Sequence, residues 1–98
     1  MNQTVESCIT QLIGYAGAAR SYYIKAIDAI SDQEEYKKLI AEGDSWYDQA
    51  HQAHFRLLKE NPKSNSQSFL LLIHAEDQLA SAETFRILAE KIRTIIIN

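Results

Sequence analysis

The stretch that decides the fold is residues 66–96, SQSFLLLIHAEDQLASAETFRILAEKIRTII. Apolar positions recur there every three or four residues, the spacing that places side chains on one face of an α-helix. Two such stripes run along the predicted helix. The first stripe comprises Leu72, Ala75, Leu79, Ala82, Phe85, Ala89, Ile92 and Ile96. The second stripe comprises Leu70, Ile73, Asp77, Ala80, Thr84 and Ile87. A helix with two apolar faces usually has two neighbours to satisfy, so the second stripe favours oligomerisation. The alternative is a monomeric bundle in which this helix has a single, wide apolar stripe.

Two further helical patterns precede this stretch. In residues 5–30 the seam comprises Val5, Ile9, Leu12, Ala16, Ala19, Tyr23, Ala26 and Ile30. In the next pattern it comprises Tyr36, Ile40, Gly43, Tyr47, Ala50, His54 and Leu57. Gly14 and Gly17 weaken the first helix by roughly 1 kcal/mol each relative to Ala, and we expect them to let another backbone come close.

Two breaks separate the three patterns. Ser31 with Glu34, or Asp32 with Glu35, can form a capping box at a new helix start. Residues 61–66, NPKSNS, combine a breaker with cap-forming residues and predict a loop. Short links between long helices make neighbours antiparallel. The sequence therefore predicts an all-α, antiparallel up-down-up three-helix bundle in a single domain, residues 1–98, with helices at about 3–30, 33–60 and 66–96.

Composition excludes several classes of function. The 98 residues fit one domain and leave no room for a separate nucleotide-binding unit. The net charge is -3 with no cluster of Lys and Arg, so nucleic acid is not an expected partner. There is neither a signal peptide nor an uninterrupted apolar segment of about 18 residues, so we expect no membrane insertion and a cytoplasmic location. We expect the single cysteine, Cys8, to be a small buried apolar residue.

His74 is the candidate nucleophile. It follows the most apolar stretch of the chain, residues 69–73, and a neutral imidazole keeps a lone pair that can attack phosphorus. Asp77 and Gln78 lie one helical turn further on, where both can neighbour the ring. From the residues alone, a core histidine satisfied by a hydrogen bond is the alternative.

Asp77 interrupts the second stripe, where a charge is costly unless it is paired, protonated or bound to a metal. A salt bridge to a Lys or Arg of another helix is one explanation. If the stripe lies on a three-fold axis, three copies of Asp77 converge, and three carboxylates need a cation or shared protons.

His51 and His54 form an HxxH pair in the second pattern, which with His74 and Asp77 could make a metal site. Two histidines at this spacing occur often by chance, and His54 lies on the inward seam. A structural, hydrogen-bonded role for His54 is the commoner explanation.

Three blocks of the sequence resemble one known family. They are Tyr15–Ser21 (YAGAARS), Gln49–His51 (QAH) and Ile73–Leu79 (IHAEDQL), in the order and spacing of the lactose/cellobiose-type enzyme IIA components of the sugar phosphotransferase system. The resemblance runs from about residue 6 to residue 96. It implies a phosphotransferase that accepts a phosphoryl group from the carrier protein HPr and passes it to a cysteine of enzyme IIB, during uptake of lactose/cellobiose-type β-glycosides.

The resemblance also implies roles for individual residues. His74 matches the phosphorylated histidine, usually modified on Nε2, and Asp77 matches a metal-associated residue on the axis of a homotrimer, typically with Mg²⁺. Gln78 stands where the family commonly has a second histidine, and could contact the ring or the phosphoryl group. His54 stands where the family often has Gln. The membrane component, enzyme IIC, selects the sugar. A regulatory or structural helical module of the same fold that transfers nothing is the alternative function.

Overall fold

The described part of the chain forms three α-helices. A computed structural model describes residues 4–60 and 66–97, and of residues 66 and 67 it describes only the backbone. The helices are α1 (Val5–Asp28), α2 (Gln33–Leu58) and α3 (Ser66–Ile97), and these described parts of the chain contain no strand. The all-helical class with three helices is confirmed, and no observed end lies more than two residues from the predicted one. Of the predicted loop, residues 61–65 lie outside the described residues.

Polar side chains begin the first two helices. The Thr4 hydroxyl accepts a hydrogen bond from the Ser7 amide at 3.0 Å, and the Asp32 carboxylate accepts one from the Glu35 amide at 3.2 Å. Asp32 with Glu35 is thus the pair that caps α2. The amide of Asp32 donates to the carbonyl of Ala29 at 2.9 Å, so only half of the capping box is formed.

The core shows how the helices run. One cluster joins the beginning of α1, the end of α2 and the beginning of α3; it comprises Cys8, Ile9, Leu12, Ala16, Ala50, Ala53, Leu57, Leu72, Ala75 and Leu79. At the other end, Ala26 and Ile30 pack with Tyr36 and Ala89. Helix α2 therefore runs opposite to α1, and α3 runs in the same direction as α1. Cys8 is buried, as predicted.

The two stripes of α3 have opposite environments. Most of the first stripe is buried against the other helices, whereas all six positions of the second stripe are exposed. The side chain of Leu70, at the start of the second stripe, is 68% exposed. Although α3 is 32 residues long, it contains no apolar segment sufficient to cross a bilayer, and neither do the other described helices.

The close approach between helices occurs at Gly43. A Cβ atom at this position would lie 2.6 Å from Cε1 and 2.8 Å from Cδ1 of Tyr23, a side chain that is fully buried. The expectation for Gly14 and Gly17 is wrong within one chain, because a Cβ built at either position has no described atom of another helix within 4 Å. Both glycines are exposed on α1.

A polar network ties the three helices together near their middle. The Tyr23 hydroxyl on α1 donates to Oδ1 of Asp44 on α2 at 2.6 Å, and Nε of Arg86 on α3 donates to the same oxygen at 3.0 Å. Burial, and next the hydrogen bond to Asp44, raise the pKa of Tyr23 above its ordinary value. The network supplies one contact that involves all three helices.

We expect Gly43→Ala to lower the free energy of unfolding by up to about 2 kcal/mol, because overpacking costs about 1–3 kcal/mol and the gain in helix propensity returns about 1 kcal/mol. Gly14→Ala is the matched control, since a methyl group there meets nothing. It should raise the free energy of unfolding by up to about 1 kcal/mol. Urea unfolding followed by circular dichroism, at one protein concentration, compares the two. Equal stability of the two variants would contradict the close approach at Gly43.

We expect the stability of the protein to fall as the pH rises above about 10, the ordinary pKa of tyrosine. There the unfolded chain loses a proton that folded Tyr23 keeps, so ionisation favours the unfolded state; below that pH both states hold the proton. Tyr23→Phe should flatten this fall, although Tyr36 and Tyr47, whose pKa values burial also raises, leave part of it. The measurement is urea unfolding from about pH 8 to about pH 11. If the free energy of unfolding fell with pH equally steeply in the wild type and in Tyr23→Phe, the contribution of Tyr23 would be refuted.

Candidate functional site

His74 lies on an exposed face of α3, near the beginning of the helix. Its position follows from helix geometry, since it comes four residues after Leu70 and three before Asp77 and so borders the second, exposed stripe. Burial of the first stripe turns this ring away from the core. The alternative of a buried core histidine therefore does not hold, and a docking protein can reach the imidazole.

An open depression of about 530 Å³ adjoins the His74 ring. It is lined by Leu70, Leu71 and His74 of α3 and by Glu6 of the first turn of α1. The two leucines make the walls apolar, and the carboxylate of Glu6 brings a negative charge. The linear sequence offered no signal for Glu6, because only the packing of α1 beside α3 brings it to this depression.

Exposed apolar side chains surround this end of the molecule. Phe69, Leu70 and Ile73 are exposed in the turn before His74. Phe55 and Leu58 are exposed at the end of α2, which packs into the same core cluster as the beginning of α3. Such an apolar surface is typical of a place where another protein docks.

Asp77 is exposed and Gln78 is half-buried, one turn beyond His74. Among the described residues, the ion pairs join His54 to Glu76 and Arg86 to Asp44 and Glu90, so Asp77 forms none. The salt bridge to another helix, which was one explanation for Asp77, is therefore not formed in this part of the chain.

His54 is committed to a hydrogen bond between helices. Its Nε2 donates to Oε2 of Glu76 at 2.8 Å, which links α2 to the turn of α3 that follows His74. This is the structural role that the sequence favoured for His54, but its partner Glu76 was not predicted. The pair holds α3 in place beside the candidate nucleophile.

The HxxH pair does not form a metal site within one chain. The His51 ring contacts the Tyr47 ring edge-on with centroids 4.5 Å apart, while His54 pairs with Glu76. No group of three His, Cys, Asp or Glu side chains in residues 4–60 and 68–97 is placed to hold a metal ion. The described residues of one chain therefore give Asp77 no pair of further His, Cys, Asp or Glu ligands for a cation.

This arrangement suits a reaction in which an exposed imidazole accepts a group from one protein and gives it to another. The ring is reachable, its surroundings are apolar, and the described side chains that line its depression include no cation or hydroxyl nucleophile. Transfer to and from the ring would thus depend on groups that a docking partner supplies.

Comparison with known proteins finds a family match along most of the chain. The profile of the family described as "PTS system, Lactose/Cellobiose specific IIA subunit" matches residues 7–96. The chain is 33% identical over 93 residues to the oligo-beta-mannoside-specific EIIA component of the PTS of Bacillus subtilis, covering 92% of this chain and 84% of the relative. It is 32% identical to the lichenan-specific phosphotransferase enzyme IIA component of the same organism, with 94% and 86% covered.

A third relative is the lactose-specific EIIA component of the PTS of Staphylococcus epidermidis, 31% identical over 70% of this chain and 69% of the relative. No solved structure gives a significant match.

Proposed function

The chain belongs to the lactose/cellobiose-specific IIA family of the phosphotransferase system, whose members are phosphotransferase components in sugar transport, and on that premise we propose that His74 carries the phosphoryl group. The observation that supports this most directly is the exposure of the His74 ring beside an open apolar depression. A carrier must present its nucleophile to two different proteins in turn. A histidine sealed within the core could meet neither of them.

In the proposed reaction the lone pair of a His74 ring nitrogen, Nε2 by the family resemblance, attacks the phosphorus of phosphohistidine on HPr. A new P–N bond forms at His74 as the P–N bond to HPr breaks, and that electron pair returns to the HPr imidazole. In the second transfer a cysteine thiolate of enzyme IIB attacks the same phosphorus. A P–S bond forms as the P–N bond at His74 breaks, and that electron pair returns to the His74 imidazole. Phosphoryl transfer asks a protein mainly for positioning and charge stabilisation, so a sparse site suffices.

The residues around His74 have supporting roles in this proposal. Leu70 and Leu71 offer a docking partner apolar contact beside the ring, so that the docked complex excludes water, which would otherwise hydrolyse the phosphohistidine. Gln78, one turn beyond the ring, orients the imidazole or donates a hydrogen bond to the phosphoryl group. The exposed side chain of Phe69, which lies outside the second stripe, forms part of a transient docking surface for HPr and enzyme IIB.

The proposal includes assembly as a homotrimer of up-down-up three-helix bundles. The second stripe of α3 is exposed along its whole length in one chain, so burying it requires another copy or another protein. Asp77 lies within this stripe and makes no ion pair in the described part of the chain. Three Asp77 carboxylates at a three-fold axis would hold a divalent cation such as Mg²⁺, whose charge offsets their mutual repulsion.

The sugar in this proposal is a β-glycoside of the lactose/cellobiose type. The relatives are named for oligo-β-mannoside, lichenan and lactose, which differ among themselves although their IIA components resemble this chain. Enzyme IIC in the membrane, reached through enzyme IIB, selects the sugar. The carrier itself works in the cytoplasm, where phosphoenolpyruvate supplies the phosphoryl group.

We expect His74→Ala to abolish phosphorylation. Incubation with phosphoenolpyruvate, enzyme I and HPr should add one phosphoryl group to the wild-type chain, detected by intact mass and located by peptide mapping. The control is His51→Gln, which removes another exposed histidine and should leave the label unchanged. A label that persists in His74→Ala would disprove the assignment.

The same mixture distinguishes a carrier from a regulatory module. When enzyme IIB is added, a carrier loses its label to the enzyme IIB cysteine, whereas a regulator stays labelled. A structural module would take no label at all.

We expect Asp77→Ala to change the response of assembly to metal. Wild-type protein should sediment as a trimer with Mg²⁺ and dissociate more readily after chelation, since unscreened carboxylates repel. Asp77→Ala removes both the cation site and the repulsion, so its assembly should not respond to Mg²⁺. Analytical ultracentrifugation with and without a chelator measures this. A wild-type protein that stays monomeric with Mg²⁺ would rule out the trimer.

A further inference from the structure

Glu6 is a charged residue beside His74 that has no role in the proposed transfer reaction. Glu6 lines the same depression as His74, and the other described residues in its walls, Leu70 and Leu71, are apolar. The family profile begins at residue 7, so the match does not include Glu6. A carboxylate that borders the same depression as a nucleophile acts electrostatically on any anionic group that the nucleophile accepts.

Phosphorylation changes the charge in this depression. A neutral imidazole gains a group that carries roughly two negative charges at neutral pH. Neither leucine can neutralise that charge, and the carboxylate of Glu6, which borders the same depression from α1, repels it. The repulsion is absent from the unphosphorylated protein, so it acts on one of the two states only.

We propose that the Glu6 carboxylate destabilises the phosphorylated form of His74 and thereby increases the tendency of the phosphoryl group to pass to its acceptor. The proposal rests on the carrier function proposed above. In this proposal Glu6 makes no bond to the reacting atoms. Its negative charge alters the free energy of the phosphorylated state. Because of this repulsion, the phosphoryl group does not accumulate on His74.

The equilibrium between HPr and this chain isolates the effect. In that exchange one P–N bond breaks and one forms, and no proton or further reactant is needed for the balance. The equilibrium constant depends only on the free proteins in their two states. A contribution of Glu6 to docking HPr would alter the rates in both directions and leave the equilibrium constant unchanged.

The experiment mixes purified phospho-HPr with the unphosphorylated chain, without enzyme I or phosphoenolpyruvate, and quantifies all four species by intact mass. We expect Glu6→Gln to shift the equilibrium constant roughly 3- to 10-fold toward the phosphorylated chain. Raising the salt concentration to about 1 M should move the wild-type value toward that of Glu6→Gln, because salt screens exposed charges.

Glu34→Gln is the matched control. Glu34 occupies the first turn of α2 as Glu6 occupies the first turn of α1, and it is likewise exposed, but α2 begins at the opposite end of the molecule from His74. Glu34→Gln, like Glu6→Gln, removes a favourable interaction between a carboxylate and a helix N-terminus. The equilibrium constant of Glu34→Gln should equal that of the wild type.

The outcomes separate this proposal from the carrier function. If wild-type chain takes no phosphoryl group on His74, the carrier function fails and the role of Glu6 with it. If the wild type is labelled but Glu6→Gln has the same equilibrium constant, or one shifted toward phospho-HPr, the tuning role alone is overturned. Circular dichroism of each variant confirms that it is folded.

Discussion

The organisation of this protein depends on one constraint: α3 carries two apolar stripes, and α1 and α2 bury only one of them. Leu72, Ala75 and Leu79 of the first stripe fill the core, and the opposite side of the helix is left exposed. His74 and Asp77 lie on that opposite side because helix geometry places them next to the second stripe. The reachability of the candidate nucleophile and the unburied apolar surface thus have the same origin.

The precision of the packing comes from small residues and from shared polar partners. Ala16, Ala19 and Ala26 along α1 are fully buried, and Gly43 on α2 leaves room for the ring of Tyr23. Asp44 then accepts hydrogen bonds from α1 and α3 together. Close contact of this kind fixes the relative height of the helices, since a shift along their axes would drive side chains into one another.

At the end that holds His74 the helices are linked differently. The His54–Glu76 hydrogen bond fastens α2 to α3. The depression beside His74 lies on the other flank, between α3 and the beginning of α1. The ring therefore lies on a helix whose packing contacts are on the sides away from the reactive face. A helix packed on one side and open on the other suits an imidazole that must meet one partner after another.

The sequence by itself determined the three helices and the two stripes of α3, because spacing along a helix is a local property that the backbone repeats every 3.6 residues. Its resemblance to the family made His74 the candidate nucleophile. It also contained the blocks that identify the family. Only the tertiary structure decided that Gly43, and not Gly14 or Gly17, marks the close approach, that Glu76 pairs with His54, and that Glu6 shares a depression with His74. These contacts depend on the rotation and register of one helix against another. The shapes of all the packed side chains together set those quantities, so no periodic pattern within a single helix contains them.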